Sequence, residues 1–386
     1  MVFSGKEGYG PDDNNIPAFR RGYQLGPDHS SPNVWAYGPQ NTQDGPGRDK
    51  SITADDVAYY DALLPVQLEY SGEFGTELVL FLPFCNWLSM IGLLKNRRIH
   101  TYRGMRCFYD DLECLEVVEK EEQRVYVRPR DRPSWLPVKR EHDFDDRGRP
   151  PQHLYPDLRS KFSRMQLIPD IRNVGRPLLV IHNKHNSEWR SGPVNFISLD
   201  SLDCIFRLLK PKFTIVYIRH GMAAKDVNFS EDAAIVFRFN DTALLERHPD
   251  VYSFDNLYLS HVANGGALDL NTFKNVIYSH CYHFISCQGG GGHHIALFSG
   301  SLLAILHRRG HEERWAYGDG FYSFMATPPP IRAICRTEED LLRALSLFSD
   351  TSISDGRVLL DAADEELAKE FSPCLLVGPR RSSLAK

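Results

Sequence analysis

The chain has 386 residues, 42% hydrophobic and 25% charged, with a formal net charge of −5. That length suffices for two buried cores, and the slightly acidic balance removes any sequence-wide attraction to nucleic acid. No apolar run reaches the roughly 18 residues of a membrane helix, no charged-then-apolar leader opens the sequence, and the 8 cysteines follow no CxxC or framework spacing. The expectation is a cytoplasmic protein with reduced thiols, no transmembrane segment and no nucleic-acid partner.

Residues 1–60 are rich in Gly, Pro, Asp and Asn and lack apolar periodicity. They predict an extended, irregular arm that carries Phe19, Tyr23, Trp35 and Tyr37. Residues 61–170 predict an N-terminal α/β domain. Within it, 66-VQLEY-70 reads as a strand and 71-SGEFGTEL-78 as a glycine-containing turn. The run 78-LVLFLPFCNWLSMIGLL-94 reads as a buried helix, and 98-RIHTYRGM-105 as the next strand, the grammar of a parallel βαβ unit. Residues 128–169, dense in Pro, Arg and Asp, predict an irregular excursion or linker.

Residues 171–350 predict a second α/β domain. Its strands are expected at 177–185, 213–219, 234–239, 282–287, 302–307 and 331–335. Its helices are expected at 199–209, 271–278, 294–301 and 337–348, the last opened by a capping box of Thr337 and Asp340. Residues 351–386 are left as a tail with a helix. The predicted fold class is α/β: two Rossmann-like doubly wound domains facing a cleft, with ligands at the carboxyl ends of the strands.

Four stretches carry candidate chemistry. In 286-SCQGGGGHH-294 the glycines leave a strand and enter a helix, where backbone N–H groups are unpaired and an anion is favoured. Gly289, Gly290, Gly291 and Gly292 would let the backbone lie against a diphosphate, with Gln288, His293 and His294 as further donors. The alternative is a flexible turn without ligand. The run is neither GxxxxGK[ST] nor GxGxxG with a following acid, which argues against an ATPase or a dehydrogenase.

The second stretch, 181-IHNKHNSEWRSGPVNF-196, leaves a strand in a burst of polar residues. Lys184 and Arg190 suit phosphate, Asn183 suits a hydroxyl, Trp189 suits stacking on a ring, and Glu188 or His182 suits a general base. The alternative is a solvated loop around a packed Trp. Arg219, at the end of a buried strand, suits either a phosphate or a structural carboxylate. In 72-GEFGTEL-78, Gly72 and Gly75 permit a tight turn, Phe74 offers a ring, and Glu73 is a candidate base for an acceptor hydroxyl. Glu77 serves equally as a helix-start anion. His280, Cys281, His283 and Cys287 lie close in sequence but lack metal-site spacing, so neither a metal nor a cofactor is expected.

The order of these motifs, over about 67–348, resembles a GT-B-type glycosyltransferase. The turn 72-GEFGTEL-78 resembles the glycine-rich first loop of fucosyltransferase-like enzymes, although it lacks their Asn-Gln pair. The pair 181-IHNKHNSEW-189 and 193-PVNF-196 is similar to a further glycosyltransferase-like group with no assigned sugar. The resemblance implies transfer of a sugar from a nucleotide-sugar donor to a glycan or other hydroxyl acceptor, often without a metal. In that class the second domain's glycine loop holds the diphosphate. Relatives of the fold also include nucleotide-sugar epimerases and pyruvyl transferases, and a non-catalytic carbohydrate-binding module is a further alternative.

Overall fold

The computed structural model describes residues 52–122, 124, 132–137, 153–172, 174–188, 192–219, 236–310, 312–317, 320–349 and 351–371. The expectations for residues 1–51, for most of the linker, and for Trp189 and Arg190 lie outside them.

The first helix, α1 (Ala54–Leu63), starts at a capping box in which Thr53 and Asp56 satisfy each other's backbone N–H. Strand β1 (Gln67–Glu69) follows. The short helix α2 (Phe74–Thr76) then runs through a π turn at Glu77–Phe81 into α3 (Leu82–Met90). Pro83 has no N–H for the Val79 carbonyl one turn back, and the Tyr155 hydroxyl donates to that carbonyl instead, at 2.9 Å. Strands β2 (Arg98–Tyr102) and β3 (Glu116–Lys120) complete a parallel sheet of order β1-β2-β3.

Two short helices, α4 (Leu158–Phe162) and α5 (Pro169–Arg172), lead to the larger sheet. Its elements are β4 (Leu178–Asn183), α6 (Leu199–Leu209), β5 (Thr214–Arg219), α7 (Asp241–Arg247), β6 (Tyr252–Ser253), α8 (Phe254–Ala263), α9 (Leu270–Ser279), β7 (His283–Cys287), α10 (Gly290–Ala296), β8 (Leu302–Leu306), α11 (Glu312–Trp315), β9 (Ile331–Cys335) and α12 (Glu338–Ala344). All six strands are parallel, in the order β6-β5-β4-β7-β8-β9. Counted within this sheet, that is 3-2-1-4-5-6, the doubly wound Rossmann order, which reverses between β4 and β7. An antiparallel hairpin of β10 (Ser352–Ser354) and β11 (Arg357–Leu359) and helix α13 (Ala362–Phe371) close the described chain.

The apolar strands are buried on both faces, as a parallel sheet requires. Leu179, Ile181, Ile215, Leu302 and Ala304 pack under α6, α12 and α13. Val180, Val216, Phe284, Leu303 and Ile305 face the other way, into a core that also holds Leu68, Trp87 and Ile99 of the first sheet. One hydrophobic core therefore crosses the expected boundary near residue 170. Arg159 of α4 fastens it. Its guanidinium donates to the Ser299 and Ser279 carbonyls and to the Ser301 hydroxyl, and lies 3.9 Å above the Tyr282 ring.

Two expectations change. Among the described part of 234–239 only a bridge from Val236 to Asn186 forms, not a strand. The helix expected from residue 294 begins at Gly290, because the glycines themselves make its first turn. The first sheet has the parallel order β1-β2-β3 among the described residues and the reversal of strand order lies in the second, within the expected α/β arrangement of Rossmann-like parallel sheets.

Below α2 lies a buried charge pair. Glu77 is fully buried, Arg124 lies 2.6 Å from its Oε2, and Thr101 and Tyr109 donate to its Oε1. Breaking such a pair leaves the remaining charge unpaired in the interior. Glu77→Gln is expected to cost about 3–5 kcal/mol in urea unfolding.

Buried histidines give the fold an acid limit. Burial lowers His153 and His283 from 6.5 to about 4. The unfolded chain then binds the more protons below pH 6.5, so stability is retained above that value and lost as pH falls toward 4. Each group removes on the order of 3 kcal/mol at the bottom of that window. Melting temperature is expected to fall steadily between pH 6.5 and 4, and His283→Phe to flatten part of the slope.

Candidate functional site

The reversal of strand order puts the carboxyl ends of β4 and β7 side by side with a crevice between them. Such a crevice is where doubly wound sheets bind ligands. The candidate residues Lys184 and Gln288 lie one residue beyond these two ends, and Gly289 two.

Each of the four glycines has its own steric reason. Gly289 has φ +124°, a conformation that L side chains rarely adopt, and a Cβ there would come within 3.2 Å of Lys184 Nζ. A Cβ on Gly290 would meet Phe74 and the Gly75 backbone. One on Gly291 would overlap the His182 ring, and one on Gly292 would stand 3.0 Å from the Tyr322 hydroxyl. Gly75 answers in kind: a Cβ there would lie 2.6 Å from His293 and 3.1 Å from Gly290 Cα. The glycine turn after β1 and the glycine helix after β7 thus meet backbone to backbone, and Gly72–Gly75 and Gly289–Gly292 form one site. Gly72, with φ +149°, donates its N–H to Tyr102 and packs against Tyr70.

The loop after β4 is held by a buried polar hub. Asn183 accepts from the N–H groups of Lys184 and Ile197 and donates to the Ile197 carbonyl. Its amide is spent on the loop rather than on a substrate hydroxyl, a correction to the expected role. Glu188 accepts from the Val194 and Asn195 backbones, the Asn195 side chain and Lys184. Burial raises its pKa, but Lys184 and the Asn195 hydrogen bonds outweigh that and hold the carboxyl below its usual value. It is a structural anion and a poor base, again unlike the expectation. Asn195, fully buried, also donates to Gln288 and the Arg309 carbonyl and accepts from the Arg308 and Arg309 N–H groups. Gln288 in turn donates to Glu312. Sequence reasoning passed over Asn195, Arg308 and Glu312; the quoted 193-PVNF-196 was the one trace of the first.

Lys184 is bonded to Glu188 at 3.0 Å and to Gln288 at 3.2 Å, and its side chain keeps 18% exposure. Its ammonium lies beside Gly289, with one of three N–H groups left for a ligand. Glu73 precedes α2 at the cap position, yet its carboxylate makes no cap bond, and it remains partly exposed at the rim. Phe74 sits edge-on to His294 and Phe108.

Two candidates leave the site. Arg219 spends its fork on Asp241, with Nη2 at 3.1 Å, and that carboxylate also accepts from Tyr217. His294 is buried among Phe108, Tyr278 and Phe298 and bonds Asn275 at 2.6 Å. Burial drives its pKa well below 6.5, so it is a neutral core residue. The His280–Cys287 group likewise disperses. His280 bonds the Met165 carbonyl, His283 bonds Thr351, and burial pushes the Cys281 and Cys287 thiols up to about 12. No group of three or more His, Cys, Asp or Glu among the described residues is placed to hold a metal. No described helix is long and apolar enough to cross a membrane.

No family model matches the chain, and no curated protein does. Two solved structures are similar. One is a glycosyl transferase family 9 protein from Veillonella parvula DSM 2008, at 8% identity, covering 75% of this chain and 90% of that one, with a TM-score of 0.39. The other is a Listeria monocytogenes protein named as a UDP-N-acetylglucosamine 2-epimerase, at 11% identity, covering 80% and 92%, with a TM-score of 0.40. The fold assignment rests on the strand order and not on these likenesses.

The glycine contacts have a direct consequence. Gly291→Ala is expected to displace the His182 ring and cost about 1–3 kcal/mol in urea unfolding. Gly192→Ala, whose Cβ would face open space, is the matched control and is expected to unfold like the parent.

Proposed function

We propose that the protein is a glycosyltransferase that moves a sugar from a nucleotide-sugar donor to a hydroxyl acceptor. The observation that carries this reading is the placement of Lys184 and the Gly289 turn at the point of strand reversal, directly opposite the Gly75 turn of the first sheet. A leaving diphosphate needs fixed positive charge and N–H donors where its own charge develops. Lys184 supplies the charge. The N–H groups of Gly289 and Gly290 supply donors, and the Asn195–Glu188 hub holds the ammonium in place.

The acceptor hydroxyl is assigned to the side of the first sheet. Glu73 is the base, because Glu188 is saturated by donors and His182 is packed over Gly291. The Phe74 ring forms part of the wall.

The test begins with melting temperatures of the parent with UDP, GDP and their sugars. A ligand at a hundred times its dissociation constant adds about 2.7 kcal/mol, a visible rise in midpoint. Glu73→Gln is expected to keep that rise while turnover with donor and acceptor falls roughly 10²–10⁴-fold. Lys184→Met is expected to lose the rise. No rise with any nucleotide overturns the reading, and consumption of donor without an acceptor assigns the site to an isomerising reaction instead.

A further inference from the structure

Tyr322 lies in the 3₁₀ turn Phe321–Ser323 and is fully buried. Its hydroxyl is 2.8 Å from Nδ1 of His293 and has no other hydrogen-bond partner among the described residues. Among the described residues that isolation sets the direction of the bond. A phenol carries one proton. Were Nδ1 protonated, the phenolic O–H would be a buried donor without an acceptor, an uncompensated desolvation. Tyr322 therefore donates and Nδ1 accepts, which leaves the ring's own proton on Nε2. Burial, with the Lys184 charge adding to it, lowers His293 to about 3, and burial holds the Tyr322 phenol well above its usual value. Neither group changes state near neutral pH.

The ring's position gives that proton a destination. Trp315 flanks it at 5.2 Å, and Cδ2 packs against Gly75. Nε2, next to Cδ2 in the ring, lies at the seam between α2 and α10 and has no hydrogen-bond partner among the described residues.

We propose that Tyr322 is a positioning residue that locks His293 in its Nε2–H tautomer, so that His293 offers a neutral N–H, within the field of the Lys184 ammonium, to an anionic oxygen of the ligand held at the Gly289 turn. This rests on the diphosphate reading above. A neutral donor holds an oxyanion equally well across the range in which an ordinary imidazolium would lose its charge. Lys184 carries the charge, and His293 adds direction without a second buried cation.

The test uses the full chain with ¹⁵N-labelled histidine, read by long-range ¹H–¹⁵N correlation from pH 5 to 8, with His293 assigned by its loss in His293→Gln. The expected result is a protonated Nε2 and a bare Nδ1, unchanged over that range. Titration with UDP, GDP or pyrophosphate is expected to move the Nε2–H resonance. Tyr322→Phe, which removes only a hydroxyl, is expected to mix the tautomers and weaken binding about tenfold. A proton on Nδ1, or a tautomer unaltered in Tyr322→Phe, overturns the inference. So does a nucleotide that saturates without moving Nε2–H, and that outcome leaves the glycosyl-transfer reading standing. If no probe binds, both fall together.

Discussion

The close approach of two backbones at Gly75 and Gly290 is the constraint on which the rest of the structure depends. No side chain separates the turn after β1 from the helix after β7. Their contact sets how near Glu73 stands to the glycine helix and fixes the seam that His293 borders. It also explains why glycine recurs where single-residue freedom would not demand it. Gly289 alone is required by its own φ. Gly291 is set by the His182 ring, which a Cβ would overlap, while Gly290 and Gly292 are hemmed closely by Phe74 with Gly75 and by the Tyr322 hydroxyl. A methyl group added to such a surface must displace a neighbour, because packed interiors hold few voids.

Behind that contact, polar groups do the work that solvent would otherwise do. Asn195, Gln288 and Glu188 satisfy one another while Asn183 holds the loop backbone, so the ammonium of Lys184 is oriented before any ligand arrives. Fixed dipoles and charges of this sort stabilise developing negative charge without reorganising at the moment of reaction. The same hub ties the loop after β4 to the loop after β8 through Asn195, Arg308 and Arg309. Arg308 and Glu338 extend it to the start of α12.

Much of the fold was legible because parallel strands buried on both faces write themselves as continuous apolar runs. The strands 178–183, 214–219, 302–306 and 331–335 all stand out this way, as does the amphipathic helix α6 with its period near 3.6. Strand β3, reading EVVEK, did not, since most of its side chains remain partly exposed and carry charge. The site was legible in part for a different reason. Gly-rich and polar stretches just after strands mark where ligands bind, but sequence does not say which polar groups face one another. Asn183, Glu188 and Arg219 read as ligands because their types suit that task. In space their partners are Ile197, Asn195 and Asp241, the second in the same loop but the last on another element, and spacing alone does not single them out. His294 differs from His293 by one position on a helix, which turns it about 100° into the aromatic core. The interdependence of Tyr322 and His293 has no sequence signature at all.

The continuity of the core between the two sheets has a bearing on how this chain comes into being. Val180, Val216 and Phe284 share their packing with Leu68, Trp87 and Ile99, and Arg159 reaches across to the carbonyls of Ser279 and Ser299. Part of each sheet's apolar surface is buried only against the other. A ribosome that has released only the first sheet has released a surface with nothing to cover it, and the second sheet alone would present one greasy face to water. That shared surface is covered only once β4 and β7 have both emerged, an interval in which a nascent chain is open to chaperones and to aggregation. In the finished body the shared core couples the loss of one sheet to the loss of the other.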